Sequence, residues 1–154
     1  NSSVNTLRIV TMLCANKTVE IMAAVIRLGR KGQVVDNFHN YGVVALIDPK
    51  TGIVKTTGVD RDFKRYVVHP DSKKPIPGFR IPSWDKIVNT VKKLALVVPD
   101  IRYVGWDVTV GKEGEVIIIE GNKSADHDVT QVADQIGKWP QYKKIIKELE
   151  DLKK

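Results

Sequence analysis

A hairpin near the C-terminal end carries the side chains best suited to chemistry. Residues 103–110 and 115–122 have the composition of two strands joined by a glycine-rich turn. Strand alternation places Asp107, Glu120 and Asn122 on one face of this pair. Two carboxylates and an amide oxygen are ligands that Mg²⁺ prefers, and they leave room for phosphate. The spacing therefore predicts a metal and phosphate site on the hairpin.

This prediction depends on the register of the two strands. If Gly111 and Gly114 flank a two-residue turn, Asp107 lies opposite Ile118 and diagonally across from Glu120, at roughly 7 Å. The other face is then apolar and consists of Trp106, Val108, Val110, Ile117 and Ile119. A slip of one residue would turn Asp107 away. The alternative is that these acids only face solvent, as they do on many hairpins that bind nothing.

The composition is that of one ordinary globular domain. A chain of 154 residues can bury a core, so we expect a single domain over residues 1–154. The single cysteine, Cys14, cannot form an internal disulfide and is interpreted as a small buried hydrophobe in a reducing compartment. The sequence has no apolar run long enough to span a membrane and no signal peptide, which favours a cytoplasmic location.

The net charge of +7 raises the possibility of a basic nucleic-acid module. Its distribution argues against one, because many lysines lie on the solvated side of an amphipathic helix predicted over residues 142–154. The buried stripe of that helix is predicted to be Tyr142, Ile145, Ile146, Leu149 and Leu152. Strand aromatics interleaved with basic residues are also missing, so no nucleic-acid partner is expected.

The remaining pattern indicates an α+β fold, an antiparallel sheet with helices packed on one face. Predicted strands cover 7–13, 19–28, 43–47, 53–59 and 66–68. A helix is predicted from Trp84 to about Val98, capped by Ser83, and a short one over 129–136. The chain opens at Asn1 without a methionine and enters a strand almost at once, so we expect a preceding N-terminal portion.

Three earlier features are candidates to complete the site. Arg8 lies in the first predicted strand and Arg27 ends the second, and a guanidinium can bind phosphate oxygens in a bidentate way. The polar segment 36–42 contains Asn37 and His39 and is a candidate substrate loop. For His39 a structural role stays as open as a site role. His69 and His127 are interpreted as incidental.

The order of these motifs resembles the C-terminal half of the ATP-grasp fold, in its glutamate-ligase-like branch. The resemblance runs from about Val4 to Asn122 and includes Asn37-Phe38-His39 and Glu120-Gly121-Asn122. With His69-Pro70-Asp71, the segment 78–82 and Tyr103-Val104-Gly105-Trp106-Asp107, it is most similar to the sugar-transfer-associated ATP-grasp group.

The resemblance implies roles for particular residues. Asp107, Glu120 and Asn122 would hold one or two Mg²⁺ ions on the ATP phosphates, and Glu120 and Asn122 with Arg8 would contact the cofactor. Arg8 and Arg27 match positions that contact the transferred phosphate, and Asn37 and His39 match the loop that lines that site. The upstream lysines and phosphate loop of ATP-grasp enzymes are absent from residues 1–154, so only the metal and phosphate half of the site is expected here.

The resemblance also implies a reaction. A substrate carboxylate would attack the γ-phosphate of ATP, and an amine or similar nucleophile would open the acylphosphate. The expected partners are ATP and a carboxylate-bearing small molecule or saccharide, with a homodimer possible. The alternative is a non-catalytic relative that binds a nucleotide or saccharide precursor and acts with a glycosyltransferase. The fragment alone is expected to be inactive.

Overall fold

One antiparallel sheet organises the chain, which a computed structural model describes over residues 5–30 and 42–152. Its seven strands follow the order β5-β4-β3-β2-β1-β6-β7. The strands are β1 Thr6–Leu13, β2 Val19–Leu28, β3 Val43–Leu46, β4 Gly58–Val59, β5 Arg65–Tyr66, β6 Tyr103–Val110 and β7 Val116–Asn122. The helices are α1 Trp84–Ala95, α2 Asp128–Gln131 and α3 Trp139–Asp151.

The central strand β1 is buried along its whole length. It pairs with β2 on one side and with β6 on the other, so its backbone groups are satisfied within the sheet. Because both its faces are covered, five of its eight side chains are apolar, two are threonines, and Arg8 is its one charged residue. A charged residue at such a position requires a partner.

The first face of the sheet carries the largest core, and α1 covers it. Ile87 and Val91 lie on the buried side of α1 and are fully inaccessible to solvent. They belong to one apolar cluster with Leu7 and Ile9 of β1 and Val108 of β6. This helix therefore supports, from the opposite face of the sheet, the strands that carry the candidate site.

The second face carries the other two helices. Val129 of α2 packs with Val25 and Val44 of the sheet, and Tyr142 and Ile145 of α3 belong to the cluster that contains Val10. The α+β class and the antiparallel sheet are confirmed, but helices cover both faces where the sequence predicted one. The physical reason is that β1, β2 and β3 place apolar residues on both sides, and each side must be shielded from water.

Some local predictions were wrong. Ser83 occupies the N-cap position of α1 but makes no side-chain capping bond, because its hydroxyl donates to the carbonyl of Gly114 at 2.9 Å and the residue has a φ of 56°. The predicted strand over 53–59 is reduced to isolated bridges at Ile53 and Val54 and the two-residue β4. Leu152 was expected in the buried stripe of α3 but is 65% exposed, since it follows the end of the helix.

The described helices are short. The longest of them, α3, has 13 residues, and no helix within residues 5–30 and 42–152 combines the length and apolar character that crossing a bilayer requires. Cys14 is buried, as predicted, and burial comes first among the causes that raise the pKa of its thiol.

Candidate functional site

The hairpin of β6 and β7 places the predicted acids on one face, but its strands pair in a register that differs from the predicted one. Near the turn Val108 pairs with Ile118, but an irregularity follows, and Asp107 then pairs directly with Glu120. Directly paired side chains have Cβ atoms about 4.5–5.5 Å apart, which is closer than the predicted diagonal. Asn122 pairs with Gly105, two residues from Asp107, and so shares that face.

The opposite face of the hairpin also differs in composition from the prediction. Val116 and Ile118 pack against the core on the first face of the sheet, together with Trp106 and Val110. Ile117 and Ile119, expected there, are 43% and 54% exposed. The bulge between the two registers explains both results, because one extra residue on β7 changes which side chains face the core.

Asp107 lies in a buried group of three charges. Its Oδ1 accepts a hydrogen bond from Nε of Arg8 at 2.5 Å, and its Oδ2 accepts one from Nη2 of Arg8 at 3.2 Å. Nη2 of Arg27 lies 2.7 Å from the same Oδ2. The side chains of Arg8, Arg27 and Asp107 are 10–14% exposed. We call these three residues the charge triad.

The strand pairing accounts for the charge triad. Arg8 of β1 is the register partner of Asp107 on β6, and Arg27 of β2 pairs with Thr6, two residues from Arg8. The three side chains therefore project from neighbouring positions on the second face. Nε of Arg27 also donates to the hydroxyl of Thr6 at 2.8 Å, which fixes the orientation of its guanidinium.

The charge triad sets the protonation state of Asp107. Burial by itself raises the pKa of this carboxyl, but hydrogen bonds from Arg8 and Arg27 and their positive charges outweigh burial and hold the pKa below its ordinary value. Asp107 is therefore ionised at neutral pH, and the charge triad carries a net charge of about +1.

This low pKa makes a prediction for acid conditions. The folded-state pKa of Asp107 lies below the unfolded value of about 3.9. The ionised carboxylate therefore stabilises the folded state fully above that value, and this stabilisation is lost as pH falls through the folded-state pKa. This group alone contributes a slope of at most about 1.4 kcal/mol per pH unit. A ¹³C NMR titration of the Asp107 carboxyl should give a midpoint below 3.9. A midpoint at or above that value would contradict the assignment.

Both arginines keep donors for a ligand. An arginine has five N–H donors. Within the part of the chain that the structure describes, the hydrogen bonds of Arg8 use only Nε and Nη2, and Arg27 directs Nε to Thr6 and Nη2 to Asp107. Nη1 of each arginine has no hydrogen-bond partner among the described residues. Two oriented guanidiniums with unused donors have the chemistry to bind phosphate or carboxylate oxygens.

Glu120 is the acid left available for a cation. It is exposed, and its carboxylate makes no hydrogen bond or ion pair with residues 5–30 and 42–152. Asn122 directs its Oδ1 to the N–H of Ser124 at 2.8 Å, so its amide is oriented by a local turn. No three His, Cys, Asp or Glu side chains of the described ranges form a metal cluster. A metal here would therefore need Asn122, phosphate oxygens or water to complete its ligands.

The other candidates fall into two groups. Asn37 and His39 lie outside the described residues, so their predicted roles stay predictions. His69 is buried and structural in its contacts, because Nε2 lies 3.0 Å from the carbonyl oxygen of Gly29 and Nδ1 accepts the N–H groups of Asp71 and Ser72. His127 lies against the rings of Tyr103 and Tyr142 on the second face.

Sequence reasoning assigned Arg8, Arg27 and Asp107 separate ligand roles and missed that they bind one another. A signal for this existed, since Arg8 is the one charged residue of a mostly apolar strand and an unpaired charge in a core strand is very costly. The sequence could not identify the partner, because 99 residues separate Arg8 from Asp107.

Comparison with known proteins identifies a family for most of the chain. The sequence profile of the family described as sugar-transfer associated ATP-grasp matches residues 1–147. No curated protein and no solved structure matches the chain.

Proposed function

Because the chain belongs to the sugar-transfer associated ATP-grasp family, an ATP-dependent and ligase-type group, we propose that its second face forms the metal and phosphate half of a carboxylate ligase site. The proposed substrate is a carboxylate attached to a saccharide or a related small molecule. The carboxylate oxygen would form a bond to the γ-phosphorus of ATP while the bond to the β-phosphate oxygen breaks. An amine or similar nucleophile would then displace phosphate from the acylphosphate.

The observation that carries this proposal is the pairing of Glu120 with Asp107 beside two arginines that have unused donors. Arg8 and Arg27 would bind the oxygens of the transferred phosphoryl group. Asp107 holds both guanidiniums in place before the ligand arrives, so the arginine side chains lose less conformational entropy when the ligand binds. Their burial strengthens the attraction, because the surrounding medium screens charge less than bulk water does.

The residues present fit Mg²⁺. Glu120 offers an unengaged carboxylate, Asn122 offers an oriented amide oxygen, and Asp107 is ionised across the strand pair from Glu120. All three are oxygen donors, the type that this ion requires. The metal would neutralise phosphate charge and polarise the transferred phosphoryl group. Asn37 and His39 are proposed to line the substrate side of the site.

A non-catalytic role is the second candidate. Both oxygens of Asp107 are held by arginines, which leaves Glu120 and Asn122 as the acid and amide with the freest access to a metal. A relative that binds a nucleotide or a saccharide precursor for a glycosyltransferase would need the arginines but would not need the metal. Metal dependence of nucleotide binding separates the two candidates.

The test is a calorimetric titration of ADP in the presence of Mn²⁺, with a metal-free arm. We expect binding that requires Mn²⁺ and that weakens about tenfold in Glu120→Ala, since one of the oxygen ligands is lost. The matched control is Glu113→Ala, which removes an exposed acid from the turn of the same hairpin and should leave affinity unchanged. Equal binding with and without metal would favour the non-catalytic role. The absence of binding in both arms would contradict both.

A further inference from the structure

A cavity that the metal and phosphate site does not use lies on the same face of the sheet. Its volume is about 360 Å³, which is near the lower end of the range for small-molecule sites. It lies between the sheet and the segment from α2 to α3. Its wall includes Met12, Tyr103, His127, Gln131, Trp139 and Tyr142. We call it the aromatic cavity.

The aromatic cavity is close to the charge triad. Tyr103 precedes Asp107 by four residues on β6 and projects from the same face, so the two positions are about 13 Å apart along the strand. Gly105 lies between them, and Ala125 packs directly over it. A substrate with its carboxylate at the arginines and a body one or two rings long spans this distance.

Aromatic rings dominate the wall of the aromatic cavity. The ring of Tyr103 lies 5.4 Å from that of His127, and the ring of His127 lies 5.6 Å from that of Tyr142. Trp139 is 62% exposed, although tryptophan is among the residues that gain most from burial. Such a ring at the entrance offers a flat apolar surface for stacking against a ligand.

The charges at the aromatic cavity are already neutralised. Nζ of Lys138 lies 2.5 Å from a carboxylate oxygen of Asp134, and both groups are mostly buried. Gln131 is also engaged at both ends, since its Nε2 donates to the carbonyl of His127 and its Oε1 accepts the N–H of Lys138. These groups offer no unpaired charge, so the cavity does not select an anion such as phosphate.

One polar group of the wall lacks a well-formed hydrogen bond. Tyr142 is 7% exposed, and its buried hydroxyl has no partner at normal hydrogen-bonding geometry within residues 5–30 and 42–152. Burial raises the pKa of this hydroxyl, and the nearby hydroxyl of Tyr103 raises it further. A buried hydroxyl without a partner is unfavourable, because it has lost its hydrogen bonds to water. The oxygen is closed off from solvent, so a ligand hydroxyl in the cavity would reach it after a small rotation of a neighbouring ring.

We propose that the aromatic cavity binds a neutral sugar ring of the substrate. A sugar ring has apolar C–H faces, which suit stacking on Trp139, and hydroxyl groups at its edge, which suit Tyr142. This inference rests on the proposed function, because it makes the sugar a part of the carboxylate-bearing substrate. A nucleoside is the competing ligand, since a base also stacks on aromatic rings.

Saturation-transfer difference NMR tests this inference without nucleotide or metal. The probes are the neutral disaccharides cellobiose, lactose, maltose and N,N′-diacetylchitobiose, with adenosine measured separately. We expect binding of at least one disaccharide and a loss of about fivefold or more in Trp139→Ala, because a stacking partner is removed. Phe63→Ala is the matched control, since Phe63 is 63% exposed and is not part of the cavity wall.

Tyr142→Phe provides a second variant that keeps the ring. It should weaken disaccharide binding severalfold without loss of thermal stability, because it removes a hydroxyl that has no well-formed hydrogen bond within the described ranges. Binding of adenosine alone, or of no probe, overturns the inference even when Mn²⁺ and ADP bind. Disaccharide binding that is unaffected by Trp139→Ala also overturns it. Disaccharide binding at the cavity without Mn²⁺-dependent ADP binding would instead count against the proposed ligase function.

Discussion

Replacing Asp107 with alanine is expected to lower the free energy of unfolding by about 3–5 kcal/mol, because it leaves two buried guanidiniums without their shared counter-ion. Arg8 and Asp107 are 9% and 7% exposed, so water solvates the remaining positive charges only poorly. Repulsion between Arg8 and Arg27 adds to this cost, since both were oriented toward the same carboxylate. Urea unfolding followed by circular dichroism measures the change.

Two further variants sharpen this test. Glu120→Ala removes an exposed acid from the same face and should change stability by no more than about 0.5 kcal/mol. The triple variant Arg8→Met, Arg27→Met, Asp107→Leu replaces all the charges by apolar groups and should recover most of the lost stability. An unfolded single variant with a folded triple variant would support the account. A loss below about 1 kcal/mol in Asp107→Ala would contradict it.

Gly105→Ala is the second substitution with a large expected effect, a loss of about 2–3 kcal/mol in the free energy of unfolding. A Cβ at this position would lie 2.3 Å from Cβ of Ala125 and 3.3 Å from Cδ of Arg8. Ala125 is itself buried, and its carbonyl accepts the hydroxyl of Tyr103 at 2.9 Å, so it cannot move aside without breaking other contacts.

The same substitution should disturb both halves of the second face. Displacing Ala125 moves the segment that follows Asn122, and displacing Arg8 changes the charge triad. We therefore expect weaker Mn²⁺-dependent ADP binding together with the loss of stability. Gly137→Ala is the matched control, because its nearest neighbour, the Oε1 of Gln131, would lie at an ordinary contact distance of 3.8 Å. Equal stability of the two variants would show that Ala125 does not constrain the site.

Local pattern was sufficient for the elements with strong periodicity. The strand Val19–Leu28 was predicted with the observed bounds, and the helix that begins at Trp84 was predicted with the correct start. The α+β class follows from these elements and from the hairpin of β6 and β7. The resemblance to the sugar-transfer-associated ATP-grasp group was also visible in the order of short motifs, and the family match over residues 1–147 confirms it.

Local sequence pattern gave wrong predictions where tertiary packing determines the structure. The predicted strand over 53–59 is mostly irregular, because it has no continuous partner strand among the described residues. The N–H of Val54 donates to the carbonyl of Phe79, and the carbonyl of Val54 accepts the N–H of Gly78. The helices were expected on one face because their amphipathic patterns do not indicate which side of the sheet each one covers. Only contact with Val25, Val44 and Val10 of the second face places α2 and α3 there.

By itself, the sequence determined which residues carry oxygen and guanidinium groups of the kind that metal and phosphate require, and that Asp107, Glu120 and Asn122 share a face of a hairpin. The tertiary structure decided their relations. A bulge that no local signal predicted set Asp107 directly opposite Glu120. The pairing of β1 with both β2 and β6 brought Arg8, Arg27 and Asp107 together. Electrostatic coupling depends on distance in space, and only the folded sheet brings charges this far apart in the chain within hydrogen-bonding distance.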